Sequence, residues 1–164
     1  MSNSFYRPLP EFIECPFWVE SGHSWPYEAA MTDERTVFLI GGDADEQATF
    51  ELEEVERDCR LRCSYRGKQV EAIAADFFAA LCDIRDKLGE ERLIPFCYGA
   101  SLNVHPSGMA RDMGRGLEAY KFTIGQQATG ADLVDIFAEG PDVIPASVEN
   151  QRQHFREWVA SLRG

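Results

Sequence analysis

The sequence predicts an α+β fold: a single domain over residues 1–164, built mainly of an antiparallel sheet backed by helices, with an amphipathic helix at the C-terminus. Three observations support this prediction. The length of 164 residues is typical of one domain with a sizeable core. Residues 35–74 contain short strand-like segments joined by short turns, as in an antiparallel meander. The second half of the chain places apolar residues at helical spacing.

The N-terminal elements are predicted to be extended. Residues 1–16 contain three of the eight prolines and indicate an extended arm. Residues 16–34 alternate weakly and carry aromatic side chains, which favours strands or a strand followed by a loop. The apolar run RTVFLIGG at 35–42 has the length and β-branched content of a buried strand.

The clearest strand pattern lies at residues 59–65, CRLRCSY. Its period of two predicts a half-buried strand. The residues expected on the buried face are Cys59, Leu61, Cys63 and Tyr65, and those on the other face are Arg60, Arg62 and Ser64. The turn RGKQ at 66–69 leads into a returning strand, QVEAIA, and ATFELEEV at 48–55 supplies a neighbouring strand.

A helix is predicted over residues 75–91, ADFFAALCDIRDKLGEE, because one apolar stripe runs along it. The stripe consists of Phe77, Leu81, Ile84 and Leu88. Asp76 is placed to cap its start and Gly89 its end. The run RLIPFCY at 92–98 then predicts a strand in which Pro95 lies at an edge or a bulge, since proline donates no ladder hydrogen bond.

Three elements are predicted in the last third of the chain. Residues 117–125, LEAYKFTIG, predict a strand. Residues 129–140, TGADLVDIFAEG, predict a helix that begins with a capping box of Thr129 and Asp132 and ends at Gly140. A final helix is predicted after Ser147 as N-cap. The expected apolar faces are Tyr120, Phe122 and Ile124 in the strand, and Val148, Phe155, Trp158, Val159 and Leu162 in the final helix.

The chain is strongly acidic, with 28 acidic residues against 16 basic ones and a formal net charge of −12. This charge repels nucleic-acid phosphates and anionic lipids, so we expect neither nucleic acid nor a membrane as a general partner. Residues 41–58 concentrate eight acidic residues against Arg57 alone. The segment is either a solvated hairpin face or a patch that attracts a basic protein partner.

The cysteines indicate a reducing compartment. There are five, an odd number, and the N-terminus lacks the basic and apolar regions of a signal peptide, which predicts free thiols in the cytoplasm. Cys59 and Cys63 have C-x3-C spacing, but on a strand they lie roughly 13 Å apart, too far to hold one ion together. With no complete metal or nucleotide motif in the sequence, we expect neither a metal ion nor a cofactor.

The most unusual segment is YGASLNVHPSGMARDMGRG, residues 98–116, with four glycines. It predicts tight turns around a short helix with Ser107 as N-cap and Gly114 beyond its end. One interpretation is a loop that grips a carboxylate or phosphate ligand. The other is an ordered crossover whose arginines pair with the surplus carboxylates. For the first interpretation the candidate ligand-binding residues are Tyr98, Asn103, His105, Ser107, Arg111 and Arg115.

The same region contains the candidates for catalysis, which are Cys97, Ser101 and His105. GASLN at 99–103 resembles a G-x-S-x-G nucleophile elbow, but Asn103 replaces the last glycine and Pro106 interrupts the helix that should follow. Cys97 would need a base beside it to act as a thiolate. Sequence spacing alone does not place either nucleophile beside His105.

The segment NVHPSGMARDMGRGLEAYKFTIG, with the later ADLVDIF and ENQRQHFREW, resembles small uncharacterised bacterial proteins of accessory genes, including mobile integron cassettes. The resemblance covers roughly residues 90–160. It implies a bacterial accessory protein and no established activity, so it assigns no catalytic residue.

These observations favour a soluble, non-enzymatic binding or adaptor protein, accessory or immunity-like. It would bind a basic protein through residues 41–58 or a small anionic ligand through residues 98–116. The alternative is a small enzyme that acts on an anionic metabolite through Cys97 or Ser101 with His105. A homodimer is also compatible with the sequence, through the edge near Pro95 and an aromatic N-terminal surface. That surface comprises Phe12, Phe17, Trp18, Trp25 and Tyr27.

Overall fold

A five-stranded antiparallel sheet forms the larger layer of the fold. The computed structural model describes residues 32–164. Five strands pair in the order β4-β3-β2-β1-β5, with β1 at Asp33–Ile40, β2 at Glu46–Val55, β3 at Asp58–Tyr65, β4 at Lys68–Ala74 and β5 at Ile94–Pro95. The predicted meander and α+β class are therefore confirmed. The arm at 1–16, the elements expected at 16–31 and the aromatic surface from Phe12 to Tyr27 lie outside the described residues.

The two faces of the sheet follow the alternation of the sequence. The inward side chains are buried, and they include Val37, Leu39, Phe50, Leu61 and Cys63. The outward face of β3 carries arginines opposite carboxylates, because Arg60 is in register with Glu53 and Arg62 with Glu71. Their N–O distances are 3.0 and 2.9 Å. The period of two thus separates the core from a solvated ladder of ion pairs.

Helix α1, Phe77–Glu90, packs against β3 and β4. Its start is as predicted, since Oδ1 of Asp76 accepts a hydrogen bond from Ala79 N at 2.8 Å. Gly89 does not end it. Arg92 reverses the chain with φ 61°, and Leu93 N donates to Leu88 O. Because the chain reverses at Arg92, the buried Leu93 lies beside Leu88. A reversal at Gly89 would place a glutamate in that buried position instead.

A second, three-stranded sheet holds the C-terminal half and has the order β6-β7-β8. Its strands are β6 at Val104–His105, β7 at Glu118–Lys121 and β8 at Leu133–Asp135. Helix α2, Gly108–Gly114, lies between β6 and β7, and helix α3, Val148–Ser161, is the last element. Ser107 and Ser147 cap the two helices as predicted, each accepting a backbone N–H. Gly114 lies inside α2, and Arg115 ends it with φ 53°.

Two predicted elements near these strands are wrong. Residues 129–140 form no α-helix: the capping box of Thr129 and Asp132 closes a single 3-10 turn, and β8 follows. Leu133 pairs with Tyr120 there, so strand pairing outweighs the local capping preference. Strand β7 stops at Lys121, so the face predicted to include Ile124 does not form, and that side chain is 45% exposed. The strand expected at 92–98 contracts to Ile94–Pro95, at the sheet edge where proline was expected.

A buried hydrogen-bond network joins α1, α3 and the segment between β5 and β6. Arg85 Nη1 donates to Gln151 Oε1 at 2.6 Å, and its two terminal nitrogens also reach the carbonyls of Gly99 and Ala146 at 3.0 and 2.8 Å. The Gln151 amide donates to the carbonyls of Gly99, Ser101 and Val104 at 2.8–3.1 Å. An irregular buried backbone thus obtains its donors from two helices.

Replacing Gln151 by leucine tests this network. The change Gln151→Leu keeps the side-chain size but removes the hydrogen bonds that the Gln151 amide donates to the carbonyls of Gly99, Ser101 and Val104. We expect the free energy of unfolding to fall by about 3 kcal/mol, because each buried carbonyl loses a hydrogen bond. Urea denaturation measures the loss. Gln153→Leu, the same change at an exposed position of α3, should shift stability by less than about 0.5 kcal/mol, and equal losses would contradict a role for the network.

Candidate functional site

An aromatic cleft of about 320 Å³ opens between β7, the turn at 128–130 and α3. Its walls carry four aromatic rings and one imidazole, those of Tyr120, Phe122, Phe155, Trp158 and His105. The hydroxyl-bearing residues Ser107 and Thr129 also line it. The cleft therefore combines apolar ring surfaces with a few polar groups, as ligand sites do.

The rings of the cleft hold one another in fixed orientations. Trp158 lies 4.9 Å from Phe122 and 5.7 Å from Phe155, measured between ring centroids. The indole is also tethered, since Trp158 Nε1 donates to Gln126 O at 2.8 Å. Such tilted contacts are the favoured geometry of aromatic pairs, so the ring surfaces are in place without a ligand.

His105 forms one wall of the cleft and is itself fixed by two phenylalanines. Its ring stacks on Phe155 at 3.7 Å and meets Phe78 edge-on at 5.4 Å. Nδ1 lies 2.9 Å from Pro106 O. Because a carbonyl oxygen only accepts, Nδ1 carries the proton, and in the neutral ring Nε2 is left as an acceptor.

The surroundings of His105 favour its neutral form. Burial lowers the pKa of His105 to about 4, and the positive charges of Arg111 and Arg152 act in the same direction. The Pro106 carbonyl and Asp76 oppose the shift without cancelling it. At neutral pH the ring therefore offers a hydrogen-bond acceptor and a flat stacking surface, and it is a weak base.

A smaller cavity, of about 120 Å³, also borders His105 and carries positive charge. Arg111 lines it, held by Asp76 at a long 3.4 Å and lying 5.5 Å above the Phe78 ring. Arg152 lines it as well and forms no ion pair with any residue of 32–164. Asp83 is the acidic residue of the lining. Positive charge next to the cleft is thus only partly compensated.

The structure divides the six residues predicted to bind a ligand. His105 and Ser107 line the cleft, and Arg111 lines the adjoining cavity. The other three are engaged elsewhere: Tyr98 donates to Asp142 at 2.6 Å, Asn103 accepts from Ser101 at 2.9 Å, and Arg115 pairs with Glu54 at 3.1 Å. Tyr98 and Asn103 thus belong to the structural crossover, whereas His105, Ser107 and Arg111 border the cavities. Whether these residues bind a ligand stays a prediction.

The three candidate catalytic residues are not joined by hydrogen bonds. Ser101 Oγ donates to Asn103 Oδ1 and accepts from Ile144 N, each at 2.9 Å. Cys97 is fully buried, and burial raises the pKa of its thiol to about 11. His105 makes its ring hydrogen bond to Pro106 instead. Among residues 32–164, neither nucleophile is hydrogen-bonded to a base that could activate it.

The side chains of the cleft that sequence reasoning missed include Tyr120, Phe122, Thr129, Phe155 and Trp158, which lie on β7, after it and on α3. The apolar spacing on α3 was correctly recognised but interpreted as a buried helix face. In α3 only Val148 and Gln151 are buried. Phe155 and Trp158 on the same face are only half-buried, and their role as cleft walls becomes visible only once β7 is placed beside α3.

The acidic segment 41–58 is partly neutralised. Glu46, Glu51, Glu53 and Glu54 form ion pairs with arginines. The remaining carboxylates, those of Asp43, Asp45, Glu56 and Asp58, form no ion pair within residues 32–164 and lie near the two ends of β2. Ten residues of strand separate those ends by roughly 33 Å, so these carboxylates do not form one continuous patch.

Comparison with known proteins adds no assignment. No protein-family model matches the chain, and no curated protein matches it in sequence. The resemblance of residues 90–160 to integron-cassette proteins stays a prediction. Among residues 32–164, no helix is both long and apolar enough to cross a membrane, and no three histidine, cysteine or acidic side chains gather as metal ligands would.

The pKa of His105 makes stability depend on pH. An unfolded histidine titrates near 6.5, while folded His105 titrates at about 4. Between these values the unfolded chain binds the extra proton, so His105 destabilises the fold as pH falls below about 6.5. We expect its contribution between pH 7 and pH 5 to be up to about 2 kcal/mol.

Urea denaturation of the wild type and His105→Phe at both pH values measures this contribution. The phenylalanine keeps a stacking ring and removes the titration, and effects of the carboxylates are common to both proteins. A smaller pH dependence in the variant is expected. An equal dependence in both proteins would show that His105 titrates normally in the folded state.

Proposed function

We propose that this protein is a non-catalytic binding protein that holds a small molecule with a planar aromatic ring and an acidic substituent. The observation that carries the proposal is the aromatic cleft, in which the rings, with the neutral His105 among them, are already fixed around an open space. The ring of the ligand stacks against these surfaces, and its acidic group lies toward Arg111 and Arg152.

The size of the cleft limits the ligand. A volume of about 320 Å³ is at the lower end of ligand-binding pockets. An apolar cavity of about 150 Å³ accommodates benzene, so this cleft takes one or two fused rings. Larger planar systems would extend into solvent.

The charge around the cleft favours an anion over a cation. Arg111 and Arg152 both lower the pKa of His105, so their positive charge acts at the wall of the cleft. Among residues 32–164, no carboxylate lines the cleft itself. A carboxylate on the ring gains from these arginines, while an ammonium group in the same place is repelled.

Binding is better supported than the alternatives. The enzyme hypothesis needs Cys97 or Ser101 beside His105, and neither makes that hydrogen bond. A basic protein partner and a homodimer both remain predictions. The partner is less well supported, because the acids of 41–58 that form no ion pair within residues 32–164 are divided between the two ends of β2. The thiols of Cys59, Cys63, Cys82 and Cys97 are all free and buried, which supports a reducing, cytoplasmic setting within the proposal.

Three benzene derivatives of similar shape test the proposal: benzoate, benzyl alcohol and benzylamine. We expect benzoate to raise the melting temperature most, benzyl alcohol less and benzylamine least. All three compounds carry the same ring, so the order reflects the charge of the substituent beside Arg111 and Arg152. A ligand present at 100 times its dissociation constant stabilises the fold by about 2.7 kcal/mol. Thermal unfolding at constant ionic strength measures the shifts, with cyclohexanecarboxylate as the non-planar control.

Two variants locate the binding. Trp158→Ala removes a wall, and Ala128→Trp fills the cleft without removing a packed ring; both should abolish the benzoate shift. Ile73→Ala changes an exposed apolar residue of β4, away from the cleft, and should keep it. No shift with any of the three compounds, or a benzoate shift that survives Ala128→Trp, would overturn the proposal.

A further inference from the structure

Arg85 is a buried cation without an anionic partner among residues 32–164. It is 5% exposed, and its hydrogen-bond acceptors are neutral: Gln151 Oε1, the Gly99 and Ala146 carbonyls, and the Cys82 sulfur. Its Nε is buried and has no acceptor within that range. A buried charge left without a counter-charge is costly, so the position calls for an anion.

A cavity of about 320 Å³ lies next to this arginine and is distinct from the aromatic cleft. Arg85 lines it from α1, Pro95 from β5, and Ser147 and Val148 from the start of α3. Arg92 lines it too, is exposed, and forms no ion pair with residues 32–164. Two arginines therefore approach the same space from α1 and from the turn that follows it.

The beginning of α3 adds backbone donors to this cavity. Ser147 accepts from Asn150 N, while the amides of Val148 and Glu149 have no recorded acceptor within residues 32–164. These first-turn amides cannot bond inside the helix. They point out of the N-terminus of a helix of 14 residues, where the helix dipole favours negative charge.

We propose that this cavity binds a phosphate group, held by Arg85, Arg92 and the first-turn amides of α3. Guanidinium groups and helix N-termini both match phosphate oxygens. Asp86 also lines the cavity and opposes an anion, but it is one carboxylate against two guanidinium groups and a helix end. The volume leaves room for an organic group on the phosphate, so free phosphate and a small phosphate monoester share the same site chemistry.

Titration calorimetry with inorganic phosphate on the full chain tests the site, in a chloride buffer of constant ionic strength. We expect saturable binding, weakened about tenfold in Arg92→Gln, because one charge-assisted contact is lost. Arg152→Gln is the matched control, because Arg152 also has no ion-pair partner in residues 32–164 but lines the smaller cavity beside His105. The Arg152→Gln protein should bind phosphate as the wild type does. Glycerol 2-phosphate distinguishes the sources, since tighter binding than phosphate indicates a monoester ligand.

Val148→Pro gives an independent variant. It removes one first-turn amide at a helix position that tolerates proline, and it should weaken phosphate binding while circular dichroism shows the fold intact. Arg85→Gln is less informative alone, because Arg85 also supports the fold. Absence of saturable binding, or equal binding by wild type and Arg92→Gln, would overturn the phosphate site. The phosphate site and the aromatic cleft are tested independently, since Ala128→Trp should abolish the benzoate shift and leave phosphate binding unchanged.

Discussion

The hydrogen bond between Arg85 and Gln151, 2.6 Å long and fully buried, is the contact on which the rest of the structure depends. It links α1, which packs on the large sheet, to α3, which borders the small one. Between these helices runs an irregular backbone whose buried carbonyls need hydrogen-bond donors. The two side chains supply donors to four of those carbonyls, those of Gly99, Ser101, Val104 and Ala146. Without them, burial of this backbone would be unfavourable.

The network also explains why residue 99 is glycine. A Cβ there would lie 2.6 Å from Leu81 Cδ2 and 2.9 Å from Ile136 O, closer than atoms pack. The missing side chain lets the backbone approach α1, so that Gly99 O reaches both Arg85 and Gln151. Since α3 has few other buried residues, this anchor positions its half-buried aromatic face. The cleft is therefore a consequence of a core hydrogen bond at the other end of the same helix.

Local patterns in the sequence predict the first half of the fold well and the second half less well. The strands between residues 33 and 74 each pair with a sequence neighbour, so alternation and turns suffice to specify them. The helix predicted at 129–140 failed because β8 is stabilised by pairing with β7, a contact that capping signals do not encode. The candidate site was also only partly predictable. His105, Ser107 and Arg111 stood out by composition, whereas Phe155 and Trp158 had the spacing of core residues.

The distribution of charge connects the two proposed sites. The acids of the large sheet are partly matched by the arginines of β3, whereas Arg85, Arg92 and Arg152 on the α1 and α3 side have no ion pair within residues 32–164. A net charge of −12 repels anions at long range, but at physiological ionic strength the screening length is about 8 Å. Within that distance the nearby guanidinium groups dominate, and distant carboxylates contribute little. The local placement of a few arginines, and not the acidity of the chain, is therefore what supports the two proposed anion sites.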